Sequence, residues 1–258
     1  MIESARTLIK TAAGRIAMIA PQARFDRGIL VLSHMRSMTT ALTNVLCSHP
    51  QISGYGETHV PYSSVDAPGK VLVNLALRRA YSPGATFFTD KLLHNRLDDA
   101  VPESFYQARG LFLARLPGPA IRSITRLAIR GDMKEMETVE GAAHYYAERL
   151  ERLAYLWDRF PTSARLGFEV EKLLLDPDRF VGDIGSWLGL EPPLENRYRS
   201  HAASQKAGGG DPTASALHTR IEKSNASSGE VQMGLDLSEA VKFRCEAAHK
   251  ELVERFVN

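Results

Sequence analysis

"LSHMRSMTTALTNVLCSHP", residues 32–50, joins an apolar run that enters it to a helix-like run that leaves it. Upstream, "RGILVLSH" is a short β-branched run of the kind buried on both faces of a sheet. Downstream, Leu42, Val45 and Leu46 recur at helical intervals. The unit reads as strand, loop, helix. In an open parallel sheet such a loop lies at the carboxyl end of its strand, where the amides that open the next helix face outward. The residues from Ser33 to Ala41 suit an oxyanion, because Arg36 supplies a fixed charge with several donors while Ser37, Thr39 and Thr40 add hydroxyls to the amides. The plain alternative is that Ser37 only caps a helix and Arg36 lies on the surface. Where phosphate loops usually carry glycine, this one has Met38.

Further strands read outward from this unit: "ATFFTDKLL", "ARGLFLARL" and "SARLGFEVEKLL" near residue 165. Helix-length sequence separates them, so the expected fold is α/β, a single domain with a mostly parallel central sheet flanked by helices. Over 134–160, Met136, Val139, Ala143, Tyr146, Leu150, Leu153, Trp157 and Phe160 form an amphipathic stripe ended by Pro161. "DPDRFVGDIGSWLGL" adds a helix capped by Asp176 or Asp178, and "LSEAVKFRCEAAHKELVERF" closes the chain as another. The segment 201–224, with three consecutive glycines, reads as a long loop, either a lid or a linker. Residues 1–27 read as a helical extension and 28–258 as the domain.

The 258 residues are 44% hydrophobic and 24% charged, enough for one sizeable core. A net charge of +2, from 32 basic against 30 acidic residues without a block of five like charges, argues against nucleic-acid binding. Cys47 and Cys245 form neither a disulfide framework nor a metal-ligand spacing, and read as free thiols in a reducing, cytoplasmic setting. Lys10 and Arg15 interrupt the N-terminal apolar residues, and no stretch of about 18 apolar residues occurs, so neither a signal peptide nor a membrane span is expected. The Walker pattern is missing, which disfavours ATP or GTP held with magnesium by that motif.

"RSMTT" and the residues after it resemble the PAPS-dependent sulfotransferases, in particular their bacterial and Golgi-like branch. The family's P-loop-like 5′-phosphosulfate loop runs Arg or Lys, Ser, Gly, Thr or Ser, Thr after the first strand, and only the glycine differs here. Some members continue through a helix and "HP" to a Gly-Glu, and this chain continues "CSHPQISGYGETH". A second motif, a strand-end arginine and a serine eight residues later that hold the 3′-phosphate of PAPS, is matched by Arg115 and Ser123 in "LFLARLPGPAIRSI". A strand-end guanidinium and a hydroxyl in the next helix can converge on one dianion. The likeness spans roughly 28–195 and extends to "LGFEVEKLLLDPDRFVGDIGSWLGL", where Glu171 is assigned to fixing a loop.

The resemblance implies a sulfotransferase that moves the sulfuryl group of PAPS to a hydroxyl of a small-molecule, sugar or lipid-like acceptor, with no metal required. It places Arg36, Ser37, Met38, Thr39, Thr40, Ala41, Arg115 and Ser123 around the donor. Arg36 would also stabilise charge on the leaving phosphate. For the base, Glu57 matches the glutamate of some branches, whereas Lys91 and His94 resemble the Lys-x-His of another branch at altered spacing. Three residues apart on a strand, these two point to opposite faces, so Glu57 is preferred and Lys91 remains a contact to the sulfuryl group. His59 and Tyr62 are weaker candidates for the acceptor pocket, and Lys206, Arg220 and Lys223 for contacts from the 201–224 loop. Met38 is expected to have negative φ, its thioether turned to the acceptor side. A catalytically inactive nucleotide-binding protein of this fold is the main rival, and a P-loop kinase with an aberrant loop the lesser one. The acceptor's identity and whether the chain forms a homodimer stay open.

Overall fold

The computed structural model describes residues 12–205, 217–224 and 234–257. Strands β1 (Gly28–Ser33), β2 (Ile52–Ser53), β3 (Phe87–Leu92), β4 (Arg109–Ala114) and β5 (Arg165–Glu169) form one sheet in the order β2-β3-β1-β4-β5. Every pairing is parallel, with Val31 opposite Lys91 and Ser33 opposite Leu113. The alternation of side chains in β1 shows why the strands read as unbroken apolar runs. Ile29 and Val31 join Leu111, Leu113, Leu42 and Val45 in one core, while Leu30 and Leu32 join Phe88, Leu92 and Phe112 in the other.

Helices cover both faces: α1 (Thr39–Cys47), α5 (Val170–Leu175) and α6 (Pro177–Leu188) on one side, α2 (Ala67–Leu77), α3 (Pro117–Gly131), α4 (Val139–Arg159) and α7 (Glu239–Phe256) on the other. The chain is a single α/β domain. It leaves β1 for β2 and β3 on one side, then returns for β4 and β5 on the other, so the carboxyl end of β1 is the point where the connections diverge. Ligand sites of open α/β sheets lie at such a point.

Some elements differ from the sequence reading. The strand in "SARLGFEVEKLL" stops at Glu169, and α5 begins at the next residue. Helix α4 starts at Val139, where the Thr138 hydroxyl accepts from the Gly141 amide at 3.0 Å, and Lys134–Met136 is only a 3₁₀ turn. Asp176, rather than Asp178, caps α6. Helix α2 has no counterpart in the sequence reading. Pro68 lies in the first turn, where its missing N–H costs nothing, and a Cβ at Gly69 would stand 2.1 Å from the Gly14 carbonyl oxygen. That close approach seats residues 12–17, which are helical, on α2. Residues 1–11 of the N-terminal extension, Lys206 and the glycine run lie outside the described residues. Among the described residues no helix is long and apolar enough to cross a membrane.

Candidate active site

The loop after β1 corrects the expectation for Met38. Its φ is +62°, left-handed, and Arg36 two residues earlier has φ +66°. Left-handed backbone costs a side-chain-bearing residue about 1–2 kcal/mol, and such outliers persist only where their surroundings over-determine them. Here buried hydroxyls do so. Ser37 Oγ donates to the His34 carbonyl at 2.7 Å and lies 2.5 Å from Ser33 Oγ, which donates to the Leu113 carbonyl at 2.8 Å. The Ser37 hydroxyl, assigned to the donor by sequence, is thus turned inward and fully buried. The side chain of Met38 packs on the core that contains Tyr198 and Ile221. Left-handed residues flanking Ser37 curl the main chain into the kind of concavity whose amides hold anions. Thr39, Thr40 and Ala41 follow as the first turn of α1, which carries no acidic residue.

The two segments that the sequence reading assigns to phosphates meet. Arg36 Nε donates to Ser123 Oγ at 3.0 Å, and Arg115 Nη1 donates to the Arg36 carbonyl at 3.0 Å. Both oxygens of Glu171 accept from the Leu116 amide at 3.3 Å, and Oε1 lies 3.9 Å from Arg115 Nε. Burial lowers the pKa of Arg115, with Glu171 opposing it, and raises that of Glu171. Glu171 therefore fixes the turn into α3 and lies against the arginine.

On the other side of the loop, Lys91 Nζ lies 3.1 Å from Glu57 Oε1 and donates to Thr40 Oγ1 at 3.1 Å. The lysine is 2% exposed and the glutamate 11%. The backbone just after Glu57 is held by Asp90, whose carboxylate accepts from the Thr58 amide (2.9 Å), the Thr58 hydroxyl (2.6 Å) and the Tyr62 hydroxyl (3.1 Å). Burial pushes Asp90 up to about 6 despite these bonds. Tyr62, a candidate for the acceptor pocket, is instead fully buried behind the site. His59 Nδ1 is 3.9 Å from Glu57 Oε2.

His94 falls beyond the end of β3, its ring 5.7 Å from that of Tyr145. Burial pulls its pKa down to about 4, with the charge of Glu57 the main opposing influence. A cavity of about 280 Å³ is lined by Arg36, Met38, Thr40, Glu57, Lys91 and Arg115 among others, Tyr198 and Ile221 included. His94 does not line it. Residues 217–224 are strapped beside it: Asn196 accepts from the Ile221 amide at 2.8 Å and donates to its carbonyl at 2.9 Å. Arg220 lines the cavity while paired with both oxygens of Asp178, at 3.0 and 3.1 Å. Lys223 is exposed and does not line it. No group of three or more His, Cys, Asp or Glu side chains among the described residues could hold a metal ion.

Several residues that build this site lack a sequence motif. From α4, Tyr145 accepts from the Met35 amide (2.9 Å) and donates to the Leu93 carbonyl (2.7 Å), while Tyr146 donates to the Arg115 carbonyl (2.7 Å). Arg149, 1% exposed, donates to the Ser33 and Leu92 carbonyls at 3.0 and 2.9 Å and pairs with buried Asp98 at 2.8 Å. One helix thus holds the carboxyl ends of β1, β3 and β4 in register. Arg149 was detectable as an arginine on the apolar stripe of an amphipathic helix. His34 and Asp90 carried no comparable signal.

Solved structures share this architecture. The sulfotransferase domain from the Synechococcus PCC 7002 olefin synthase aligns with a TM-score of 0.61 at 18% identity, covering 88% of this chain and 94% of that one. The sulfotransferase domain from the curacin biosynthetic pathway aligns at 0.55 and 15% identity, covering 87% and 96%. No protein-family profile matches the sequence, and no curated protein matches it. The chain has the sulfotransferase fold.

Proposed function

We propose that the chain is a sulfotransferase that moves the sulfuryl group of PAPS to a hydroxyl of a small-molecule, sugar or lipid-like acceptor. The observation that carries this reading is the junction of the two phosphate elements, where Arg36 bonds to Ser123 through its side chain and to Arg115 through its carbonyl. A donor with one phosphate in the loop and a second beside Arg115 and Ser123 would engage both. The amides from Met38 to Ala41 would take the 5′-phosphate, and the cavity beside them, bordered by Met38, Tyr198 and Ile221, would take the nucleoside. Residues 28–258 form the transferase unit in this reading, with the segment around Arg220 closing its donor side.

For transfer, the acceptor oxygen attacks sulfur in line, the bond from sulfur to the 5′-phosphate oxygen breaks, and that oxygen keeps the electron pair. Glu57 takes the hydroxyl proton, and Arg36 and Lys91 stabilise the charge arriving on the phosphate. The position of Lys91, between Glu57 and Thr40, supports a single centre for base and donor. Calorimetry with adenosine 3′,5′-bisphosphate in the presence of EDTA tests the donor. Metal-independent binding is expected, and its absence would sink the reading. PAPS turnover against a panel of hydroxyl acceptors then separates an enzyme from an inactive nucleotide-binding relative.

A further inference from the structure

His34 lies outside the groups assigned to transfer, yet its ring joins the main chains of both phosphate elements. The Arg115 amide, which can only donate, approaches Nε2 at 3.1 Å, so that nitrogen accepts and Nδ1 carries the proton it donates to the Met35 carbonyl at 2.7 Å. Each of the two peptide segments is held at its other group as well. The Met35 amide donates to Tyr145, and the Arg115 carbonyl accepts from Tyr146, whose ring meets His34 edge to face at 4.8 Å. The imidazole is fully buried, and burial lowers its pKa to about 3, so its donor and acceptor roles are fixed at neutral pH.

We infer that His34 is a positioning residue that sets the spacing between the loop and Arg115, and thereby the preference for a nucleotide phosphorylated at both 3′ and 5′ over one phosphorylated at 5′ alone. This rests on the donor reading above. A 5′-phosphate needs only the loop, whereas a bisphosphate gains from Arg115 only if the two elements stand at the right separation. That preorganisation is made during folding rather than on binding.

The test is calorimetry of the full chain with adenosine 3′,5′-bisphosphate and with adenosine 5′-phosphate, the ratio of the two affinities being the readout. His34→Asn places a donor near the Nδ1 position but does not reach the Arg115 amide. It is expected to lower the ratio about tenfold while adenosine 5′-phosphate affinity changes less than about threefold. His34→Gln places an acceptor near the Nε2 position and is expected to keep most of the preference. Equal loss for both nucleotides, or an unchanged ratio in His34→Asn, overturns the inference. If His34→Asn does not fold, Tyr146→Phe, which releases the Arg115 carbonyl and keeps the ring, must lower the ratio, and no change there is equally fatal. If the wild type binds neither nucleotide, the donor reading fails and the inference with it. Wild-type preference with an indifferent His34 sinks the inference alone.

Discussion

Lys91 Nζ and Glu57 Oε1 stand 3.1 Å apart in a pair nearly closed to solvent, and the same ammonium donates to Thr40 Oγ1 at the first turn of α1. The candidate base is thereby tied to the N-terminus of α1. Removing either partner leaves the other charge buried without its complement.

Glu57→Gln preserves shape and removes the proton acceptor. It is expected to lower PAPS-dependent turnover by about 10²- to 10⁴-fold while leaving affinity for adenosine 3′,5′-bisphosphate within a few-fold of wild type. Lys91→Met should lower both. Steady-state rates beside calorimetry decide this, and full activity in Glu57→Gln would refute the base assignment.

The left-handed backbone at Met38 makes a second prediction. Met38→Ala and Met38→Gly both delete the thioether, but only glycine relieves the strain. The glycine variant should be the more stable of the two by about 1 kcal/mol, reversing the usual helical order. Urea midpoints of the two variants provide the comparison, and an alanine variant as stable as the glycine one would contradict it.

Arg149 and Asp98 form a buried pair whose arginine also bonds to two strand-end carbonyls. Arg149→Leu should destabilise the chain by about 3–5 kcal/mol, since it leaves a buried carboxylate and carbonyls behind. Arg149→Lys restores the charge but not the planar fork and should recover less than half of that loss. Chemical denaturation measures both.

Acidification should weaken the fold through His34. Its native pKa is about 3, while the unfolded imidazole titrates at 6.5, so between these values the unfolded state binds more protons. Stability is then fully present above pH 6.5 and lost as pH falls, by about 2 kcal/mol between pH 7 and 5. Asp90 opposes this. Its native pKa of about 6 exceeds the unfolded 3.8, so it contributes stability that is present at low pH and lost as pH rises, about 1 kcal/mol over the same interval. Asp90→Asn removes the opposing contribution, and its urea midpoint should fall more steeply than wild type from pH 7 to 5. A shallower fall would contradict the assignment.

The sheet is legible in sequence because parallel strands covered on both faces leave apolar runs such as "GILVLS", and the order of the landmarks from Arg36 to Ser123 points to paired phosphate elements. The short strand Ile52–Ser53 offers no periodicity to read. Met38 misleads for a different reason: propensity bars a methionine from positive φ, but the Ser37–His34 and Ser33–Leu113 bonds that hold the loop outweigh that preference. Asp90 and His34 illustrate the remaining gap. Each is polar and buried, and its role comes from backbone groups that distant segments bring to it, which local pattern does not encode.

The inward turn of the Ser37 hydroxyl has a thermodynamic consequence. The hydroxyls of Ser33 and Ser37 and the ring of His34 hold the loop through bonds internal to the protein, so an anion bound there, as proposed, would meet a segment ordered on folding. Association need not include the entropy of ordering this segment. The cost lies instead in the folded state, as left-handed strain at Arg36 and Met38. Affinity for the donor and conformational stability of the loop are therefore set by the same few bonds, and relaxing one is expected to weaken the other.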